Sequence, residues 1–258
     1  MANTHSIDLE ASSSQYLSIT DGSLTGLDVT GNYTIETWFK AETLPTAGDQ
    51  FKVLVGKGYV PGNNGYYLRF FYNGGTQSVQ FGHVASYVSW EYSTNIVTGT
   101  WYHLSGVYNG ATMKIYLDGV EKASADVTTD PISGTQPFVI GGNKINASVI
   151  RYFDGKIDEV RVWSDARTQT EIEDNMSLEL NGDETNLEGY WKLNNDLLDE
   201  TSNDNDLTNN NTATFSTDIP FSVSGPANLK SINGLAKASI KSRNGLAIGS
   251  IKSINGLS

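Results

Sequence analysis

The stretch Phe153-Asp-Gly-Lys-Ile-Asp-Glu-Val-Arg-Val-Trp163 decides the fold of this chain. Apolar and charged residues follow one another with a period close to two, which is typical of a β-strand with one face in a core. Strict alternation predicts two sets of side chains, one on each face: Ile157, Glu159, Arg161 and Trp163, against Asp158, Val160 and Val162. We therefore expect Glu159 and Arg161 to form an ion pair, which Arg167 can also reach, in a structural network that fastens a short helix, described below, to the sheet.

The same period of two recurs along the chain. It runs through Tyr33–Lys40 and through four further β-rich stretches: 51–55, 65–72, 78–83 and 101–108. Asn109-Gly110 and Asp118-Gly119 supply the positive φ angles that tight hairpins need, so residues 101–123 indicate an antiparallel meander. Many short strands at this spacing predict an all-β sandwich or jelly roll.

One segment departs from the strand pattern. Thr168 is followed three residues later by Glu171, which is the signature of a capping box at the start of a helix. The sequence therefore predicts one short helix over residues 168–176.

The composition narrows the class of protein. The chain has 258 residues and no cysteine, so its stability must come from the core, from ladder hydrogen bonds and from any bound metal. No apolar run approaches the length of a membrane span. The start, Met1-Ala-Asn-Thr-His-Ser-Ile-Asp8, lacks the apolar segment of a signal peptide. We expect either a trimmed signal or release by cell lysis.

The last thirty residues form a repeat with a period of 11, in which Lys230, Lys241 and Lys252 are in register. No acidic residue follows Asp218, so residues 219–258 carry a charge of +5. The net charge of the chain is −12, so the body carries −17. We predict a body domain of residues 1–218 and a basic docking tail of residues 219–258. The predicted docking residues are the three lysines and the apolar residues Ile232, Leu235 and Leu246.

Several stretches together resemble the laminin-G-like branch of the concanavalin A-like lectin/glucanase superfamily. They are Ser6–Ile19, Tyr33–Lys40, Thr100–Val120, Phe153–Met176, Leu180–Leu193 and Leu198–Ser202. The resemblance covers roughly residues 5–215 and implies a jelly roll of two antiparallel sheets. It fixes no activity, because the superfamily includes lectins, glycan-cleaving enzymes, adhesion domains and virion proteins.

Catalytic motifs are absent from the sequence. Glycan-cleaving members of the superfamily carry two carboxylates on one strand, as Glu-x-Asp-x-x-Glu, and this chain has no such run. The three histidines, His5, His83 and His103, have no second ligand at the spacing of a metal site. We therefore expect a protein that is not an enzyme.

A glycan-binding surface needs exposed aromatic rings beside amides or carboxylates. Trp38, Trp101, Trp163 and Trp191 lie in strands that match the family, where a core position is favoured. Trp90 matches no family motif, and 59–65 is a predicted exposed loop. The sugar-contact candidates are thus Trp90, Tyr87, Tyr92, Tyr59, Asn63 and Asn64, against the alternative of ordinary half-buried sheet aromatics.

The resemblance implies a structural calcium between the opening loop and the strand that contains Asp158. The candidate ligands are Asp158 and Glu10, but the loop of residues 10–15 lacks the Asp or Asn that relatives show near Ser14 and Gln15. Residues 199–206, rich in Asp and Asn, are a second candidate, although turn formation explains such residues better.

The tail resembles those that end some bacteriophage structural proteins. We therefore expect a virion surface protein, a decoration or fibre component, whose outward jelly roll binds host glycan and whose tail binds capsid or tail proteins or its own symmetry mates in a homo-oligomer. The alternatives are a secreted or cell-surface carbohydrate-binding module of a bacterium and, second, a glycoside hydrolase. The acidic body argues against nucleic acid as a partner.

Overall fold

The computed structural model describes residues 3–58, 65–83, 86–92, 96–127, 129–145 and 148–222, and four short strands in the tail. Within these residues the chain folds into two large antiparallel sheets and one α-helix. None of the described helices has the length and apolar character needed to cross a membrane.

Sheet A contains β1 (Ser6–Leu9), β3 (Tyr33–Ala41), β8 (Trp101–Tyr108), β9 (Thr112–Leu117), β10 (Val120–Asp126), β14 (Gly155–Trp163), β15 (Leu187–Trp191) and β17 (Thr214–Ser216). The strand order is β10-β9-β8-β3-β14-β1-β17, and β15 also pairs with β14. The predicted meander of residues 101–123 is confirmed as β8, β9 and the start of β10, which pair in sequence.

Sheet B contains β2 (Tyr16–Ile19), β4 (Phe51–Lys57), β5 (Tyr66–Asn73), β6 (Thr76–His83), β7 (Ser86–Glu91), β11 (Phe138–Ile140) and β16 (Thr208–Asn210). Its order is β16-β2-β11-β4-β5-β6-β7. Two short strands, β12 (Asn143–Ile145) and β13 (Ser148–Ile150), form a separate hairpin. The predicted antiparallel jelly-roll sandwich with one short helix is confirmed.

Aromatic and branched side chains from the inner faces of the two sheets form the main core. From sheet A, Phe39 meets Phe70 of sheet B edge to face, with ring centroids 5.2 Å apart. The ring of Tyr33 in sheet A lies 5.4 Å from that of Phe81 in sheet B, with the two planes tilted by 55°. Burying rings of this size contributes most of the driving force for closing a sandwich, because each removes a large apolar area from water.

A β-bulge in β14 corrects the strict alternation that the sequence predicted. Asp158 pairs with Trp38, and the next paired residue is Arg161, which lies opposite Glu36. Glu159 takes a φ of 51° at the bulge. The extra residue shifts the phase, so Ile157 joins Val160 and Val162 in the main core instead of sharing a face with Glu159.

The helix α1 (Gln169–Asn175) lies on the outer face of sheet A. The predicted capping box is confirmed, because the Thr168 side chain accepts a hydrogen bond from the Glu171 N–H and the Glu171 carboxylate accepts one from the Thr168 N–H. Ile172, on the helix, is buried against Val107 and Tyr116 of the sheet.

Gly106 tests how tightly the sandwich is packed. A Cβ atom at Gly106 would lie 2.2 Å from the ring of Phe81, whereas one at Gly31 would have nothing within 4 Å. Gly106→Ala should therefore lower the free energy of unfolding by about 1–3 kcal/mol, the usual cost of overpacking a core. Gly31→Ala is the matched control, and urea denaturation is the measurement. Equal stability of the two variants would contradict the packing described here.

Candidate functional site

The predicted sugar-contact residues fall into three groups in the structure. Tyr87 is 52% exposed and faces outward from β7. Trp90 lies on the opposite face of the same strand, where it is partly buried against the main core. Tyr59, Asn63 and Asn64 lie outside the described residues.

Tyr92 does not have the exposed position that was predicted for it. Its side chain is fully buried, and its ring packs edge to face on Phe70 with the centroids 5.7 Å apart. Tyr92 directly follows β7, where its N–H donates to the carbonyl of Gln77 and its side chain belongs to the main core. Tyr92 is a core residue in this fold and is not available for the sugar contact that was predicted for it.

The outer face of sheet B brings together aromatic rings, guanidinium groups and an amide that the sequence did not single out. We call this surface the Arg69 face. It consists of Phe51, Tyr67, Arg69, Phe71, Gln80 and Arg151. Pairing in register with period-two alternation puts the β4, β5 and β6 members on the side away from the core.

Arg69 is the centre of this face. Its Cζ lies 4.1 Å from the ring centroid of Tyr67 and 4.7 Å from that of Phe51. Its Nε and Nη2 donate hydrogen bonds of 3.0 and 2.8 Å to Oε1 of Gln80. These contacts hold the guanidinium plane in one orientation, because both its faces and one edge are engaged.

Phe51 joins the remaining members to Arg69. Its ring stacks on that of Phe71, with centroids 4.8 Å apart and an angle of 23° between the planes. The Cζ of Arg151 lies 4.2 Å from the Phe51 centroid. Tyr87 faces the same side from β7, opposite Gly82. Tyr67, Arg69 and Gln80 are buried, Phe51, Phe71 and Arg151 are partly buried, and Tyr87 is exposed.

A sequence signal for this face did exist. In Tyr66-Tyr-Leu-Arg-Phe-Phe-Tyr72, Arg69 is the one charged residue, and five of the other six residues are aromatic. A strand that is apolar on both faces indicates that both faces are covered or used. What the sequence could not supply was Arg151, because it reaches Phe51 from a loop far along the chain.

A second polar cluster lies buried on the outer face of sheet A. Arg161 Nη2 is 2.6 Å from Oε2 of Glu159, and the Tyr190 hydroxyl donates to the same oxygen at 2.7 Å. Arg161 also donates to the carbonyl of Asn175, the last residue of α1, and to that of Leu178, just after the helix. The predicted structural network is thus present and fastens the helix to the sheet.

Arg167 takes a different position from the one predicted. It lies 3.5 Å from Asp165 and 3.4 Å from Glu171, and its Cζ stacks 4.2 Å above the ring of Trp163. Glu159 pairs with Arg161, and Arg167 is held by Asp165 and Glu171.

Burial sets the ionisation of this cluster. Burial raises the pKa of Glu159 to about 7, although Arg161 and the Tyr190 hydroxyl oppose the rise. Burial also lowers the pKa of His103 to about 4, with Glu36 opposing and Arg161 adding to the shift. Glu36 lies 3.5 Å from the ring Nε2 of His103. His103 is therefore neutral at pH 7.

The two predicted calcium ligands do not converge. Asp158 is fully buried, its Oδ2 accepts a 2.7 Å hydrogen bond from Asn3, and burial raises its pKa well above the ordinary value. Glu10 follows β1, whose Leu9 pairs with Gly155, three residues before Asp158. A rise of about 3.3 Å per residue puts the two ligands at opposite ends of the strand pair. Residues 10 and 158 therefore do not fit one calcium ion, and calcium binding elsewhere stays a prediction.

The stretch of residues 199–206 is a hydrogen-bonded turn. Asp199 Oδ1 accepts from the N–H groups of Tyr190 and Thr201, and its Oδ2 accepts from the Thr201 hydroxyl and the Asn205 N–H. The carboxylate is thereby saturated by local donors, as the turn interpretation predicted. Among the described residues, no three His, Cys, Asp or Glu side chains are grouped in a way that could hold a metal ion.

The tail contributes two small hairpins to the described structure. Ser231–Ile232 pairs with Leu235–Ala236, and Ser242–Arg243 pairs with Leu246–Ala247 in the same register 11 residues on. The predicted docking residues Ile232, Leu235 and Leu246 are in these strands. Lys230, Lys241 and Lys252 lie outside the described residues.

Because His103 is buried in its neutral form, the free energy of unfolding should fall as the pH is lowered. Between about pH 6.5 and 4 the unfolded chain binds a proton at this residue and the native state does not, so acidification destabilises the native protein. The difference in unfolding free energy between the wild type and His103→Gln should change by about 1.4 kcal/mol per pH unit over this window. The raised pKa of Glu159 has the opposite effect on stability, but both proteins contain Glu159, so its contribution cancels in the difference. Urea denaturation between pH 7 and 4 measures the difference, and parallel curves would contradict a neutral buried His103.

Comparison with known proteins places this architecture in a family. A family model described as the concanavalin A-like lectin/glucanases superfamily matches residues 11–173, more than half of the chain. Mouse (Mus musculus) pappalysin-1 is 34% identical over 83 residues, which are 30% of this chain and 5% of that protein. The chain thus spans only a small fraction of the length of that relative.

Two solved structures share the fold. One, from Bacteroides ovatus, is described provisionally as a carbohydrate binding protein and matches with a TM-score of 0.65 at 20% identity, over 84% of this chain and 60% of that one. A heptameric SAP-like pentraxin from Limulus polyphemus matches with a TM-score of 0.59 at 16% identity, over 83% of this chain and 94% of that one. The family match and the jelly-roll architecture agree, and the chain therefore belongs to the concanavalin A-like lectin/glucanase superfamily.

Proposed function

We propose that this chain is a non-enzymatic glycan-binding protein and that the Arg69 face contacts the sugar. The observation that carries the proposal is the aromatic character of the outer face of sheet B, where Tyr87 is 52% exposed and the stacked rings of Phe51 and Phe71 are partly exposed. The C–H faces of sugar rings stack on aromatic rings, and sugar hydroxyls need fixed hydrogen-bonding groups beside such rings.

Two further points support this proposal. The Bacteroides ovatus structure, whose description is carbohydrate binding, shares the fold with this chain. The sequence lacks the paired carboxylates with which glycan-cleaving relatives act. A glycoside hydrolase is therefore the weaker alternative.

We propose further that the protein is displayed on a larger particle, a virion, with the tail as its anchor. The segment just before the tail is tied to sheet A. Asp218 accepts a 2.6 Å hydrogen bond from Lys40 and a 2.9 Å hydrogen bond from Trp101, and the ring of Phe221 lies 5.9 Å from that of Trp38.

This contact puts Phe221 on the side of sheet A. Trp38 donates to the carbonyl of Met176 at the end of α1, so Phe221 lies over the outer face of sheet A. The Arg69 face is the outer face of sheet B, on the other side of the sandwich. A tail that leaves from sheet A and binds a particle or its symmetry mates would turn the Arg69 face away from the support, as display of a receptor-binding surface requires.

Glycan binding by the Arg69 face is tested with a glycan array and titration of the best hit. Tyr87→Ala should weaken binding about tenfold, the loss expected for one ring contact of about 1.4 kcal/mol. Leu198→Ala is the matched control, because Leu198 is 54% exposed and Tyr87 52%. Absence of any array signal would refute glycan binding, and equal affinities of the two variants would place the site elsewhere.

The anchoring role is tested by deletion of residues 226–258. The shortened protein should keep its glycan affinity, because the core and the Arg69 face lie before residue 222, and should no longer join the particle. Co-sedimentation with purified particles is the measurement. Unchanged sedimentation would refute docking by the tail, whereas association of the full chain with the bacterial envelope would favour the cell-surface alternative.

A further inference from the structure

We infer that two copies of this chain associate through the edge of β7, in a dimer with its twofold axis at Ser89. The inference concerns assembly and does not depend on the glycan binding proposed above. Within the part of the chain that the structure describes, the strand order of sheet B ends at β7 on one side and at β16 on the other. An edge strand presents unpaired N–H and C=O groups to which another strand can be added.

The other strands at the sheet edges carry features that discourage pairing. β16 and β17 have three residues each. β10 has a bulge after Glu121, and both Glu121 and Lys122 are exposed. β15, which pairs with β14, has Tyr190 bonded on its other side to Asp199 and Glu200. Short length, bulges, exposed charges and covering segments are the usual devices that keep sheet edges from associating.

β7 has none of these features. Its six residues pair with β6 in one unbroken register, from Ser86 opposite His83 to Glu91 opposite Ser78. Its sequence contains no proline and one charged residue, Glu91, at its end. A regular edge of this length favours association with a further strand.

The hydrogen bonding of the strand shows which backbone groups point away from β6. The Tyr92 N–H donates to the Gln77 carbonyl, so these two residues form a pair of the hydrogen-bonded kind. Hydrogen-bonded and non-hydrogen-bonded pairs alternate along an antiparallel ladder. Alternate residues of β7 therefore bond to β6, and the other three turn their N–H and C=O groups outward. Those three are Tyr87, Ser89 and Glu91.

The same three residues have exposed side chains, which lie together on the outer face of sheet B because side chains two residues apart share a face. Val88 and Trp90 lie on the core side, where Nζ of Lys122 is 5.8 Å from the ring centroid of Trp90. Among the described residues, the neighbours of β7 are thus β6 beside it and strands of sheet A beneath it. The outward edge is the direction from which a second copy can approach.

A second copy of β7 fits this edge because identical strands can pair antiparallel about a twofold axis. With Ser89 on the axis, Ser89 lies opposite Ser89 of the second copy and Tyr87 lies opposite Glu91, so every outward residue meets another outward residue. On the core side, Val88 lies opposite Trp90. Pairs of hydroxyl with hydroxyl and of β-branched with aromatic side chains are favourable across strands.

This register also keeps the acidic groups apart. The two Glu91 residues are four positions from one another along the paired strands, or about 14 Å at the usual rise per residue. That distance exceeds the Debye length of about 8 Å at physiological ionic strength, so their repulsion is largely screened. Each copy carries a net charge of −12, and the dimer should therefore become tighter as salt is added.

The test is the mass of the full chain by sedimentation equilibrium over a range of protein concentrations. An edge of six residues is a small interface, so the wild type should change from monomer to dimer in the micromolar range. Ser89→Pro removes an outward N–H and spares the bonds to β6, so this variant should remain monomeric. Ser89→Ala keeps the N–H and is the matched control, which should dimerise like the wild type.

Two further variants test the register independently of the proline. Ser89→Lys puts like charges opposite one another on the axis, so it should weaken the dimer about fivefold at low salt and less at high salt. The chain has no cysteine, and Ser89→Cys would place two thiols on residues whose Cα atoms are about 5.5 Å apart, within disulfide range. Oxidised glutathione should convert this variant to a covalent dimer. Ser13→Lys and Ser13→Cys, at an exposed position before β2, are the controls.

The outcomes decide between this dimer and association by the tail. A wild type that stays monomeric at high concentration and high salt would overturn the proposal, as would folded Ser89→Pro and Ser89→Lys variants that dimerise like the wild type. Thermal unfolding shows that each variant is folded. Deletion of residues 226–258 should leave the dimer intact, and its loss in the shortened protein would assign association to the tail. None of these measurements uses a sugar, so failure of glycan binding would leave their result unchanged.

Discussion

The buried ion pair between Arg161 and Glu159 is the interaction on which the arrangement of sheet A depends. Both side chains are about 1% exposed. A charge in that position is stable only while its partner and hydrogen bonds are present, because removing either member leaves the other uncompensated in a low-dielectric interior. The pair in turn holds the carbonyls of Asn175, at the end of α1, and of Leu178, just after it.

This pair has consequences for the whole molecule. It fixes the helix and the segment after it on the outer face of sheet A, where Trp163, Tyr190 and Leu180 form a small second core. Phe221, in the segment just before the tail, lies over the same side. One side of the sandwich is therefore occupied by structural elements. In our proposal, glycan binding uses the other side, the outer face of sheet B.

Much of the fold follows from local patterns, and parts of the site do not. Period-two alternation and Asn-Gly or Asp-Gly turns predicted the strands, and Thr168 with Glu171 predicted the helix. The same alternation gave the wrong face for Ile157. The residue inserted at the bulge exchanges the two sheet faces for the part of β14 that precedes it. Alternation also could not tell that Tyr92 enters the core while Tyr87 stays exposed, since that depends on where the strand meets the opposite sheet.

The sequence by itself determined the all-β class, the single helix, the charge division between an acidic body and a basic repeat tail, and the resemblance to the superfamily. These properties depend on residues that are near one another in the chain. Only the tertiary structure decided that Asp158 and Glu10 lie apart, and that Arg151 meets Arg69 on the ring of Phe51. These positions belong to segments about 80 to 150 residues apart in the chain. Sheet register and the path of the loops decide whether such segments meet, and no local sequence pattern encodes either.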